Sequence, residues 1–330
     1  MKKILITHIT LFIFFISFTL HSQSIFTKNA MLMGSDFEIT IVEESESQAN
    51  LFLDLAVREI SRIEKLISSW DNESQTTLIN LNAGISPIKV DKELFDLINR
   101  SLKISKLSQG AFDISYASLD KVWYFDKKME EIPSDKEILE SVSKVGYNNI
   151  ILDKENQTIF LKNKGMKIGF GAIGKGYAAD MAKSILIQND VKSGIINASG
   201  DLTAWGKKPS GKDWMVAIVN PLNKDKIFSW LPIKNKAVVT SGNYERFVNF
   251  KGKLYSHIID PRTGYPSEGI LSVTIFTEKA ELADALATSV FVLGEEIGMN
   301  LINQLKGIDC IIINNKNKII KSKNIEIEKI

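Results

Sequence analysis

The stretch Met166-Lys-Ile-Gly-Phe170-Gly-Ala-Ile-Gly174-Lys-Gly-Tyr177-Ala-Ala-Asp180, running on to Gln188, decides the fold class. Its apolar opening, Met166–Phe170, reads as a strand. Tyr177–Gln188 carries helical periodicity, and the glycines between residues 169 and 176 join the two. Outward from this unit the same alternation continues. A strand pair, Asn149–Asp153 and Gln157–Lys162, precedes it. Strands at Gly194–Asn197, Trp214–Val219, Ala237–Thr240 and Leu271–Thr277 follow, and Asp36–Val42 (DFEITIV) alternates as an early strand. Amphipathic helices are expected over Gln48–Leu66, with apolar Leu51, Leu53, Val57, Ile60, Ile63 and Leu66, and over Asp91–Leu107. Two more are expected at Ala280–Phe291 and Glu295–Gln304. Strands and helices interleave, and strands recur in adjacent pairs, so the reading is an α+β fold with mixed sheets. No repeat or Pro/Gly/Ser-rich linker divides the chain, which predicts one domain. The last ten residues alternate in charge and read as peripheral.

The composition is that of a globular protein: 330 residues, 44% hydrophobic and 24% charged, enough for a sizeable core. The first residues form a separate unit. Lys2 and Lys3 precede an apolar run, Ile4–Leu20, and Ser22 and Ser24 occupy small-residue positions before a cleavage point. Residues 1–24 therefore read as a secretory signal, the alternative being a retained membrane anchor, for which the run is short. No Cys stands near the cleavage point, so a lipid anchor is unsupported. Without that segment the chain carries 39 basic and 39 acidic side chains. A neutral chain argues against a nucleic-acid binder or a polybasic membrane-surface protein. One histidine, His257, and one cysteine, Cys310, remain. A Cys/His zinc site and an intramolecular disulfide are both excluded, and Cys310 within the apolar GIDCIIIN reads as packing.

Three segments carry candidate chemistry. The loop at 169–176 leads from a strand into a helix, where backbone N–H groups attract phosphate. It formally begins a G-x-x-x-x-G-K pattern, but Gly176 stands where a Ser or Thr would hold Mg²⁺. An approach surface for a phosphate-bearing ligand and a plain strand-to-helix turn both remain open. His257 precedes the turn Asp260-Pro-Arg-Thr-Gly264. A single histidine is ordinarily structural, yet this one is the sole imidazole available for acid–base work. Asp284 and Thr288 lie at i and i+4 on one helical face. That spacing reads first as a capped helix start and second as a pair of hard oxygen ligands for Mg²⁺ or Ca²⁺.

Taken in order, these segments resemble the ApbE family of bacterial envelopes, the FAD:protein FMN transferases. Met33-Gly34-Ser35 is similar to that family's Met-Gly-Thr. Ser68-Ser69-Trp70, continuing through Ser74 to Leu78-Ile79-Asn80, resembles its S-x-Y-x-x-x-S…L-x-x-N. Gly110-Ala111-Phe112-Asp113, with Trp123 trailing, is its G-A-F-D, and Lys175-Gly176-Tyr177 with Asp180 its K-G-Y-x-x-D. Thr240 to Arg246 corresponds to T-S-G-D-Y-x-R, His257 to Gly264 to H-I-I-D-P-x-T-G, and Asp284 to Thr288 to D-A-L-x-T. Each motif alone is weak; seven in order are specific.

The resemblance implies a single T-fold-like domain over residues 25–330. It implies FAD, as substrate, against Met33, Trp70, Ala111, Phe112, Asp113, Lys175 and Ile258, and Mg²⁺ on Asp284, Thr288 and the carbonyl of Ala172. It implies transfer of FMN to a Thr or Ser hydroxyl of an extracytoplasmic flavoprotein subunit of a redox complex, with AMP released and His257 as base. An exported protein, periplasmic or on the outer face of the inner membrane, fits that partner, which would supply any membrane proximity. An FAD pyrophosphatase and a non-catalytic flavin-binding protein are the alternatives. Two departures stand out: Gly169 where the family has Asp, and Ser199-Gly200 for its paired glycines, which puts the backbone path there in question.

Overall fold

The computed structural model describes residues 23–125, 129, 131–220, 223–242, 247–250 and 253–325. The export segment lies almost wholly outside these, as do residues 243–246 of the T-S-G motif. The chain opens with a hairpin of β1 (Ser24–Leu32) and β2 (Ser35–Glu43), in register from Ser24 opposite Glu43 to Leu32 opposite Ser35. Its two-residue turn is Met33-Gly34, both left-handed with φ of 53° and 66°, the signature of the hairpin turn that matches strand twist. There follow α1 (Glu46–Ile67), α2 (Gln75–Leu81), β3 (Ile88–Lys89), α3 (Lys92–Leu107), α4 (Asp135–Ser141), β4 (Ile150–Asp153), β5 (Thr158–Leu161) and α5 (Gly174–Gln188). The second half runs through β6 (Gly194–Ala198), β7 (Asp201–Trp205), β8 (Trp214–Asn220), β9 (Asn223–Ile233), β10 (Ala237–Gly242), β11 (Phe247–Phe250) and β12 (Lys253–Ser256). It ends with β13 (Ile270–Thr277), α6 (Ala280–Leu293), α7 (Glu295–Ile302), β14 (Asp309–Asn314) and β15 (Ile319–Lys321).

Eight strands form the central sheet, in the order β1-β2-β6-β7-β10-β13-β14-β15. The α+β class is as read from the sequence. Strand direction is not mixed, however: every pairing among the described strands is antiparallel. Tight turns account for much of this, because β1–β2, β6–β7 and β14–β15 are sequential neighbours, and a short turn can join only antiparallel strands.

Side-chain alternation fixes what lies on each face. Phe37, Ile39 and Ile41 of β2, and Val273 and Ile275 of β13, point into the cores shared with the helices. Val42, Val238, Phe276 and Ile311 point the other way, where the β8–β9 hairpin covers them with Trp214, Val216 and Ile233. Each fully buried Ile or Phe contributes roughly 1.5–3 kcal/mol. Cys310 is buried in the core beneath α6, as packing requires.

The buried face of α1 is Ala49, Leu53, Ala56, Ile60, Ile63 and Ile67. This is rotated from the expected face, for Leu51 is 61% exposed. The two alanines complete the i, i+4, i+7 row, which a count of large apolar residues passes over.

Met166–Phe170 forms no strand. Its backbone groups bond elsewhere: the Ile168 amide donates to Asn80 Oδ1 at 2.8 Å, Asn80 Nδ2 donates to the Ile168 carbonyl at 3.0 Å, and the Lys167 amide donates to Ser118 Oγ at 2.7 Å. Side chains thus take much of its hydrogen bonding, and the Gly169 amide donates to the Ile114 carbonyl at 2.9 Å. The β6–β7 turn, Ser199-Gly200, has φ of 52° and 98°. Ser199 thus adopts the left-handed backbone that a glycine takes freely. Its amide and hydroxyl both donate to the Asp36 carbonyl, at 3.0 and 3.1 Å, which holds it there.

Candidate active site

The glycine-rich loop ends at the N-terminus of α5, and Gly171, Ala172 and Lys175 line an open cavity of about 440 Å³ there. The glycines of the loop serve packing more than ligand approach. A β-carbon on Gly176 would lie 2.3 Å from the Ala280 carbonyl oxygen, and one on Gly174 2.8 Å from Ile67 Cδ1. Gly176 is therefore what lets α5 cross α6 at close range. Its amide donates to Asp284 Oδ2 at 3.2 Å. Asp180, one turn further along α5, accepts from the Glu281 amide at 3.0 Å and so caps α6, whose own N-cap residue, Lys279, makes no side-chain cap. The crossing places Asp284 and Thr288 in the cavity wall with Ala172, Lys175, His257 and Ile258.

Asp201, at the start of β7, adds a second buried carboxyl. Lys175 Nζ lies 2.6 Å from Asp201 Oδ2. Burial and the adjacent Asp284 push Asp201 up to about 8 against the pull of Lys175. Two carboxyls forced together beside a cavity, with a hydroxyl and a carbonyl at hand, form an oxygen donor set suited to a hard divalent cation. Among the described residues no three His, Cys, Asp or Glu side chains gather as a ready-made metal site. A cation here would thus complete its shell with water and phosphate, as Mg²⁺ does. Asp201 was visible in sequence only as the last residue of the altered Ser199-Gly200 stretch.

His257 follows β12 and lines the cavity. The turn after it is clamped: Arg262 pairs with Asp260 at 2.7 Å, and the Gly264 amide donates to the Asp260 carbonyl at 2.8 Å. The charges next to His257 in sequence are thus committed to each other. Trp123 braces the segment on both sides, stacking on Tyr255 at 5.4 Å and donating from Nε1 to the Gly264 carbonyl at 2.9 Å.

The remaining predicted contacts divide. Ala111 and Phe112 line the cavity. Asp113 does too, but its carboxylate is occupied, accepting from the Ser115 amide and hydroxyl at 2.7 Å each and from the Tyr147 amide at 2.7 Å. It caps the short 3₁₀ turn Ile114–Ser118 and so shapes the wall; burial raises its pKa against these three donors. Met33 packs over the start of α5, its Cε 3.5 Å from a β-carbon built on Gly174. Trp70 stands outside the cavity wall, 92% exposed, beyond the C-terminus of α1. Tyr116, Thr240 and Ser241 also line the cavity; the first carried no motif signal.

Comparison with known proteins agrees with this fold. The chain matches the ApbE family over residues 33–312. It is 31% identical over 300 residues to a protein of Klebsiella pneumoniae named FAD:protein FMN transferase, covering 90% of this chain and 92% of that one. A protein of the same name from Treponema pallidum is 31% identical over 265 residues, covering 76% and 73%. Among solved structures, the ApbE protein of Thermotoga maritima superposes with a TM-score of 0.83 at 30% identity, over 91% of this chain and 97% of that one. The apo flavinyl transferase ApbE of Pseudomonas stutzeri gives 0.81 at 25% identity, over 92% and 96%. Family match, relatives and fold coincide, and the chain belongs to the ApbE family.

Proposed function

We propose that the protein transfers FMN from FAD to a Thr or Ser hydroxyl of a partner protein, releasing AMP. The observation that carries this reading is a single cavity lined by His257, Lys175, Asp284, Thr288 and the backbone at Ala172. Relatives of similar length bear the name of that activity. In this reading the acceptor oxygen attacks the phosphorus on the FMN side of the pyrophosphate. The P–O bond to AMP breaks, and AMP leaves with the electron pair. A hydroxyl is a poor nucleophile until its proton is removed, and His257 takes that proton. Lys175, fixed by Asp201, meets the negative charge of the phosphates.

Asp284, Thr288 and the Ala172 carbonyl would hold Mg²⁺, with Asp201 behind them. Bound there, the ion supplies Lewis-acid stabilisation of phosphate charge. Ala111, Phe112, Ile258 and Met33 supply apolar surface for the flavin, and Trp70 offers an exposed ring beyond the C-terminus of α1. The basic start and apolar run of residues 1–24 support export, and hence a partner among extracytoplasmic redox subunits, periplasmic or at the outer face of the inner membrane.

The test is purified protein with FAD and Mg²⁺, with and without an acceptor protein. Covalent FMN on the acceptor is expected. Free AMP and FMN at the same rate without acceptor would make the protein a pyrophosphatase, and FAD bound but intact in both arms would make it a flavin binder.

A further inference from the structure

Tyr116 lines the cavity beside the glycine-rich loop. Its hydroxyl accepts the Gly171 amide hydrogen at 3.2 Å. A phenol also has one hydrogen to give, and no acceptor among the described residues takes it. The local space is tight. A β-carbon on Gly171 would lie 2.3 Å from the hydroxyl oxygen; one on Gly169 would lie 3.8 Å from it and 3.0 Å from Ala117 Cβ. The hydroxyl therefore borders the space that a side chain at position 169 would enter, where the family pattern has Asp and this chain has none. The charges of Asp284 and Lys175 both reach it, which sets it at the phosphate end of the cavity, and burial raises its pKa, keeping it a neutral donor.

We propose that Tyr116 is a ligand-binding residue: held by the Gly171 amide, its hydroxyl donates to a phosphoryl oxygen of the bound dinucleotide. This corner of the site then offers a hydrogen where an acidic side chain would offer a lone pair. The proposal rests on the flavin-dinucleotide reading of the cavity.

The experiment titrates FAD and riboflavin into wild-type and Tyr116→Phe protein, with EDTA present so that nothing turns over, following flavin fluorescence. The variant keeps the ring and loses only the oxygen, and its melting midpoint checks the fold. A hydrogen bond to a charged oxygen predicts about a tenfold loss of FAD affinity, with riboflavin, which has no phosphate, held within about twofold. Unchanged FAD affinity, or an equal loss for riboflavin, would overturn the assignment. In the double variant Tyr116→Phe/Gly169→Asp, FAD affinity should stay low, because a carboxylate cannot donate to phosphate; recovery to the wild-type value would overturn it as well. Wild-type protein that binds no FAD would remove the functional reading and this inference together, whereas wild-type binding with an unaffected Tyr116→Phe removes only the inference.

Discussion

Trp123 Nε1 donates to the carbonyl of Gly264 at 2.9 Å, joining residues 141 positions apart in sequence. The bond fixes the far end of the segment that runs from His257 into the turn at Asp260–Gly264, while the stack on Tyr255 fixes the near end. Trp123→Phe would leave the Gly264 carbonyl without this donor and open space behind the turn. We expect a stability loss of about 2 kcal/mol, read from urea unfolding. We also expect kcat for FMN transfer to fall several-fold with little change in KM for FAD. A variant that loses stability but transfers FMN at the wild-type rate would show that the brace does not position His257.

His257→Ala should sharply slow transfer and leave FAD affinity nearly unchanged, because the other cavity walls stay in place. A general base contributes on the order of 10²–10⁴-fold. The loss should fall in that range, measured as covalent flavin on the acceptor after denaturing electrophoresis. Turnover within tenfold of wild type would strip His257 of the role.

Asp284→Ala removes an oxygen donor and also the acceptor of the Gly176 amide. Activity should fall at least a hundredfold, with the response to added Mg²⁺ flattened. Isothermal titration with Mg²⁺ should show lost binding while the variant stays folded. Full activity, or an unchanged Mg²⁺ requirement, would refute the ligand assignment.

Asp180 is buried against the start of α6, and desolvation raises its pKa above the ordinary carboxylate value despite the amides it accepts. The folded state thus holds this proton more tightly than the unfolded chain. Its contribution to stability is complete below about pH 3.8 and is lost as pH rises through the folded value. Asp180→Asn has no such titration. Wild-type stability minus variant stability should therefore decline from pH 4 to pH 7 in urea titrations; a difference that grows with pH would contradict the shift.

Much of this molecule was legible in its sequence, for identifiable reasons. The bounds of α3 follow from periodicity because it buries one regular face, and those of β2, β13 and α6 follow from apolar runs that are covered on more than one side. Asp284 and Thr288 converge because helical spacing fixes them. The strand expected at Met166–Phe170 failed because its hydrogen-bond partners are the side chains of Asn80 and Ser118, which no local pattern announces. The first strand, β1, was missed because it is an edge strand whose residues are mostly exposed. Asp201 and Tyr116 reach the cavity only through tertiary contacts, so the motifs beside them, Ser199-Gly200 and Gly110–Asp113, do not by themselves give them a role. Asp113 shows the converse: its motif was plain, yet its carboxylate serves the turn rather than the open space.

The close packing of α5 at Gly174 and Gly176 bears on how such chains should be sorted. Those glycines answer to Ile67 and to the Ala280 carbonyl, so architecture alone demands them. A descendant that had abandoned flavin chemistry would still need both, while nothing in that packing would keep its imidazole or its helix-borne hydroxyl. The glycine signature is therefore a marker of ancestry, and a catalogue of active members should be drawn up from the cavity wall instead.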